Sequence, residues 1–129
     1  MISIIIPVFN QHEMTKECLD AIRENTQNYQ IILVDNGSDP PIPIDDFQNG
    51  YSTPYGDIFP GDIVIRNETN LGFPVAINQG IRASKGDVIC VLNNDVIVTP
   101  GWTDRLRSNP QAVALDQGVQ QESPEARCR

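Results

Sequence analysis

Polar residues of this 129-residue chain gather where apolar runs stop. Asn10 follows the run from Ile2 to Val8, Asp35-Asn36-Gly37-Ser38 follows Ile31 to Val34, Asn67 to Asn70 follows Ile63 to Ile65, and Asn93-Asn94-Asp95 follows Val88 to Leu92. Singly, each has an ordinary structural explanation: Asp-Asn-Gly-Ser is a common turn, Asn-Leu-Gly joins a strand to a helix, and Asn-Asn-Asp can satisfy backbone donors at a strand end. Three such clusters at one edge of a sheet argue for a ligand. Asp95 carries the most specific chemistry, because the rigid Val91-Leu92 would hold its carboxylate where it can meet Mg²⁺ or Mn²⁺. Hard cations of this kind accept one or two protein carboxylates and take their remaining ligands from water and substrate phosphates. Asp35 is an acceptor suited to a base N–H or a ribose hydroxyl, and equally suited to capping the Gly37 turn.

The elements that must position these residues can be read from the pattern of apolar residues. Ile2 to Val8, Gln30 to Asp35, Ile63 to Arg66 and Asp87 to Leu92 are β-branched runs without strict alternation, as expected of strands buried on both faces of a parallel sheet. Between the first two lies a predicted helix, with Asn10 as cap, Glu13 three residues on, and Met14, Cys18, Leu19 and Ile22 on one face. A second helix should open near Pro74, pack through Val75, Ala76, Ile77, Gly80, Ile81 and Ala83, and end near Lys85-Gly86. Thr99-Pro100 reads as the start of a short helix through Trp102, Leu106 and Arg107. The 27 residues from Asn36 to Asp62 hold five of the ten prolines, and are expected to form no regular element: a loop either poorly ordered or folded by Tyr51, Tyr55 and Phe59 over the ligand mouth. Strands alternating with helices predict an α/β domain, Rossmann-like, with a mainly parallel sheet and helices on both faces. In such sheets ligands bind outside the carboxyl ends of the strands.

Composition sets the outer limits. Hydrophobic residues make up 40% of the chain, and its nine glycines lift the apolar share to the ordinary globular level. The net charge of -8 falls wholly within Met1 to Ile65, with two basic and ten acidic residues, and disfavours nucleic acid as a partner. A phosphorylated ligand would need a cation to bridge it to a carboxylate. His12 is the single histidine, and Cys18, Cys90 and Cys128 are far apart, so an imidazole or thiolate metal cage is excluded. No apolar run approaches the roughly 18 residues of a membrane span and no basic leader opens the chain, so a cytoplasmic protein is expected.

Four motifs in order resemble the donor-binding half of family 2 glycosyltransferases of GT-A fold. They are Ser3 to Asn10 (SIIIPVFN), Ile32 to Asp39 (ILVDNGSD), Asn70-Leu71-Gly72-Phe73 with Ala76, Asn78 and Gly80, and Gly86 to Asp95 (GDVICVLNND). The resemblance covers about residues 1–107 and leaves 108–129 as a polar tail. It implies a nucleotide-diphospho-sugar donor, UDP- or dTDP-linked, and Mg²⁺ or Mn²⁺ as cofactor. Pro7, Val8, Phe9, Asn10 and Asp35 would hold the nucleoside, and Asn70, Gly72 and Asn78 would line the donor cleft. Asn93-Asn94-Asp95 stands where the family carries Asp-x-Asp, so Asp95 would be the metal ligand; the variant resembles rhamnosyltransferase-like members. Family members continue for about another hundred residues, through an acceptor half that supplies the catalytic base, and 108–129 has no room for it. The chain therefore reads as a truncated GT-A domain: a glycosyltransferase or fragment of one, transferring a sugar with inversion, or a nucleotide-sugar-binding module without turnover. Such a half-domain should expose apolar surface and self-associate. A phospho-receiver, the other doubly wound option, would want paired acids after the first strand, where this chain has Pro7-Val8-Phe9-Asn10.

Overall fold

The computed structural model describes residues 1–44 and 50–108, so the expected polar tail lies, beyond Ser108, outside the described residues. Four strands, β1 (Ile2–Val8), β2 (Tyr29–Asn36), β5 (Ile63–Asn67) and β6 (Val88–Val91), form one parallel sheet in the order β5-β2-β1-β6. A separate antiparallel hairpin joins β3 (Tyr51–Thr53) to β4 (Gly56–Ile58). The described residues also form three helices: α1 (His12–Asn25), α2 (Phe73–Ala83) and α3 (Trp102–Ser108).

The unbroken apolar character of the central strands follows from burial on both faces. Ile2, Ile4, Ile6 and Val8 of β1, with Ile31 and Leu33 of β2, meet Cys18, Leu19 and Ile22 of α1 and Trp102 and Leu106 of α3. Ile5, Ile32 and Val34 point the other way, onto Ala76 and Ile77 of α2. Helices thus cover both faces, as the sequence predicts. Burying each of the Ile, Leu and Val side chains contributes roughly 1.5–3 kcal/mol.

Close approach of α2 depends on one glycine. A Cβ on Gly80 would sit 2.5 Å from Ile5 Cγ2 and 3.0 Å from two further Ile5 carbons. Ile5 is β-branched, stiff at χ1 and fully buried, so it cannot swing aside. Gly80→Ala gains about 1 kcal/mol of helix propensity against an overpacking cost of about 1–3 kcal/mol. Urea denaturation should therefore show a net loss of about 1 kcal/mol; a net gain would mean that α2 moves away freely.

Several expectations are corrected. Asn10 does not cap the first helix: both Asn10 and Gln11 are left-handed, α1 begins at His12, and Gln11 occupies the cap position without a side-chain bond. Asn10 turns instead toward the loop after β2. Its N–H donates to Ser38 Oγ (2.8 Å), and its Oδ1 accepts from the Asp39 N–H (2.8 Å). That use of the side chain displaces the capping box. Met14 and Val75, expected in the core, lie on the surface, while Thr15 is buried. Helix α3 opens at Trp102, whose N–H donates to the Thr99 carbonyl, rather than at Pro100.

The segment from Asn36 to Asp62 does contain a regular element, the β3–β4 hairpin. Its turn is closed when Thr53 Oγ1 donates to the Gly56 carbonyl and accepts the Tyr55 N–H. The hairpin lies on α1, so tightly that a Cβ at Gly56, where φ is +119°, would meet Leu19 Cδ1 at 2.7 Å. Tyr55 is buried edge-on against His12 and donates to the Pro40 carbonyl. Asp62 fastens the far end, accepting from Ile31 N–H, Phe59 N–H and Arg23 Nη2, while the Arg23 guanidinium lies 4.3 Å from the centre of the Phe59 ring. Asp62→Ala would leave Arg23 without its anion and two N–H groups without acceptors. A loss of about 2 kcal/mol in denaturant unfolding is expected, and less than 0.5 kcal/mol would show that water replaces these bonds.

Candidate functional site

Residues at the carboxyl ends of β1, β2 and β6 converge on one cleft of about 240 Å³, lined by Pro7, Val8, Phe9, Gln11, Asn36, Asn70, Phe73, Asn93 and Asn94. This is the edge at which parallel α/β sheets bind ligands. Sites that enclose a whole drug-sized ligand run from roughly 300 to 1,000 Å³. A cleft of this size takes one part of a larger molecule. A wider polar hollow, bordered by Arg23 to Asn28 and Pro100 to Asp104, lies at the opposite end of the strands and contains none of the motif residues.

The sheet delivers the sequence-predicted residues unequally. Pro7, Val8 and Phe9 line the cleft, and Phe9 is half exposed. Asn10 braces the wall from behind, through the bonds to Ser38 and Asp39. Asp35 is not in the cleft. It is fully buried, its Oδ1 accepts from Ser38 N–H (2.9 Å), and its Oδ2 accepts from Ile42 N–H (2.8 Å) and Arg66 Nη1 (2.9 Å). Both Asp35 oxygens are thus engaged by protein donors, the capping of the Gly37 turn that is one of its two expected roles.

Asn36, part of the same strand-end cluster but given no role by the sequence, lines the cleft instead. Its Nδ2 donates to Asn70 Oδ1 (2.9 Å) and the Gly72 carbonyl (3.2 Å), and its Oδ1 accepts from Asn67 Nδ2 (3.1 Å) and the Leu71 N–H (2.9 Å). Asn67 in turn exchanges a reciprocal pair of bonds with Gln79 of α2, both 2.8 Å. Four carboxamides therefore tie β2, β5, the Asn-Leu-Gly turn and α2 into one rigid wall. Asn70 lines the cleft as expected. Gly72 supports it from outside the lining, at φ +91°, as the residue that opens α2. The fold does not bring Asn78 to the site: it lies on the exposed side of α2.

Asn93 and Asn94 line the opposite wall. Asn94 Nδ2 donates to Thr15 Oγ1 (3.0 Å), and the Asn93 carbonyl accepts from Val96 N–H (3.2 Å) and the Cys18 thiol (3.8 Å), which seats the turn on α1. Burial pushes the Cys18 thiol up to about 12, and the nearby Asp95 carboxylate adds to the shift, so the thiol remains a neutral donor. Asp95 itself is exposed at the border of the cleft. Its carboxylate has neither a hydrogen bond nor an ion pair with any described residue. An uncommitted oxygen ligand beside two amides fits a hard cation whose other ligands come from phosphate and water. Among the described residues no three His, Cys, Asp or Glu side chains converge, so a cation held here would rest on Asp95 and the ligand's own oxygens. Among the described residues every lining side chain is uncharged, and none of them offsets a diphosphate.

Gln11 and Phe73 are the other lining residues absent from the sequence-based set. Left-handed backbone at a non-glycine residue, as at Gln11, cannot be read from residue type. Phe73 follows the Asn-Leu-Gly turn directly and was within reach of that motif.

Residues 3–109 match the model of a family described as Glycosyl transferase family 2. The chain is 30% identical over 118 residues to "Glycosyltransferase AglE" of Haloferax volcanii, covering 89% of this chain and 37% of that protein. Its fold is similar to that of S. aureus TarS 1–349 in complex with UDP-GlcNAc (TM-score 0.61, 17% identity, 83% of this chain and 30% of that one). It is likewise similar to mannosyltransferase PcManGT from Pyrobaculum calidifontis in complex with GDP-Man and Mn²⁺ (TM-score 0.59, 15% identity, 92% and 33%). The chain spans about a third of the length of these proteins, and the architecture they share is the GT-A fold. No helix among the described residues is long and apolar enough to cross a membrane.

Proposed function

The chain belongs to glycosyl transferase family 2, and from that membership we propose that residues 1–107 are the donor-binding half of a GT-A glycosyltransferase that uses a nucleotide-diphospho-sugar. The observation that carries this reading is an uncharged cleft with an aromatic wall, at the carboxyl edge of the sheet, bordered by the one uncommitted carboxylate of the Asn93-Asn94-Asp95 turn. Phe9, Pro7 and Val8 would take the nucleoside against the carboxamide wall of Asn36 and Asn70. The diphosphate would lie toward Asp95. Because no lining side chain among the described residues is cationic, the diphosphate calls for Mg²⁺ or Mn²⁺, held by Asp95 and phosphate oxygens. When bound, such an ion supplies Lewis-acid stabilisation of the departing nucleoside diphosphate.

The chemistry proposed is inverting displacement at the anomeric carbon: the acceptor oxygen–carbon bond forms as the carbon–diphosphate bond breaks, and the acceptor proton passes to a general base. Among the described residues no acid lines the cleft, so none of the lining side chains is assigned as this base. That observation also favours a second reading for this chain by itself, donor binding without turnover. The resemblance of Asn93-Asn94-Asp95 to rhamnosyltransferase-like members makes a dTDP-linked sugar the first donor to test, and UDP-sugars the second. The setting proposed is cytoplasmic.

Calorimetric titration with UDP, dTDP and GDP, in Mn²⁺ and again in EDTA, tests the reading. Binding of at least one nucleotide that disappears in EDTA is expected. No binding of any nucleotide under either condition would overturn it. Sugar transfer by the chain alone would exclude the reading without turnover.

A further inference from the structure

We propose that Phe73 forms the second wall of an aromatic clamp, in which a planar nucleobase is held by its faces between Phe9 and Phe73. The proposal rests on the reading of the cleft as a nucleotide site and names a residue and a mode of recognition within it. Phe9 leaves the end of β1 and Phe73 opens α2, so the two rings enter the same cleft from different elements. Their exposures are 49% and 42%, high for phenylalanine, and neither ring meets another ring among the described residues. Both therefore expose apolar surface in the lining of one cleft, which a flat ligand entering it would cover. Gly72, at φ +91°, makes the turn that places Phe73 there.

The wall between them leaves few alternatives for reading the base. Asn36 spends both N–H groups and both oxygen lone pairs on Asn70, Gly72, Asn67 and Leu71. Asp35, fully buried beneath it, already accepts three bonds from Ser38, Ile42 and Arg66. A base edge could recruit the Asn36 groups only by breaking a satisfied internal bond, whereas its π-faces would meet two rings that have no ring partner among the described residues. Stacking of this kind tolerates different bases, since every base has such a face. Affinity would thus come from the faces, and discrimination among UDP, dTDP and GDP would be shallow.

Phe73→Ala should weaken UDP, dTDP and GDP alike by about tenfold in the presence of Mn²⁺, a change of about 1.4 kcal/mol and within the range of one base stacked on one ring. Phe73→Tyr should bind as wild type, and inorganic diphosphate should bind the wild type and Phe73→Ala equally. Val75→Ala, a change at an exposed apolar residue of the same helix outside the cleft, should alter nothing. Nucleotide binding unchanged in Phe73→Ala, or a parallel loss of inorganic diphosphate, would overturn the clamp while leaving the nucleotide site in place. A wild-type chain that binds no nucleotide at all would overturn both. Since Phe73 is exposed, thermal melting of the alanine variant should match the wild type, which separates a binding loss from a folding loss.

Discussion

Asp95→Ala is expected to lower Mn²⁺-dependent affinity for UDP or dTDP by at least about 100-fold while leaving the fold intact. Removing a group that merely supports a metal ligand costs 10–100-fold, and Asp95 is the sole carboxylate of its cluster, so loss of the ligand itself should cost no less. Among the described residues the cleft offers no cationic side chain to take over the diphosphate charge. Stability should change by less than about 0.5 kcal/mol, because the residue is exposed and has no hydrogen bond or ion pair among the described residues. If Asp95 were only a strand-end cap, the pattern would reverse: about 1 kcal/mol of stability lost and binding kept. Thermal melting and nucleotide titration of the same variant decide between them. Wild-type affinity in Asp95→Ala, or equal wild-type binding in EDTA, would remove the metal role.

For Asp35→Ala the expectation is the opposite, a folding defect of about 3–5 kcal/mol. The carboxylate is fully buried and accepts from two backbone N–H groups and from Arg66, and its loss strands all three. Arg66 also donates to the Ser38 carbonyl and is 27% exposed, so partial rehydration places the cost toward the lower end. Against a typical domain stability of 5–15 kcal/mol this is a large share. In a double-mutant cycle with Arg66→Ala, the second substitution should cost much less once Asp35 is gone. A loss below about 1 kcal/mol together with altered nucleotide preference would return Asp35 to the cleft as a base contact.

The confusion between Asp35 and Asn36 shows where sequence stops informing. The run Ile31-Ile32-Leu33-Val34 announces a strand, but side chains alternate along it, and Asp35 shares the face of Ile31 and Leu33 whereas Asn36 shares that of Ile32 and Val34. Because both faces are buried, residue types give no sign of which face opens at the carboxyl end. The turns posed a different problem. Asn10 is a good cap by composition, yet two successive left-handed residues aim it at the β2 loop, a tertiary arrangement that local propensity does not encode. The β3–β4 hairpin escaped notice because strands of three residues carry too little periodicity, and its Pro54 and Gly56 read as loop. What was legible was what repeats or is forced: the four buried strands, the helices between them, the edge where polar clusters collect, and Asp95 at its border. Which side of α2 carries Asn78 was not legible, because a position in a motif does not determine it.

That the cleft at this edge is the nucleotide site is tested most directly by amide chemical-shift mapping of the isotope-labelled chain during titration with dTDP and UDP in Mg²⁺. The largest shifts are expected at Val8, Phe9, Asn36, Asn70, Phe73 and Asn94, collapsing on addition of EDTA. Shifts centred on the opposite hollow, at Arg23 to Asn28 and Gly101 to Asp104, or no shifts at saturating nucleotide, would contradict the account.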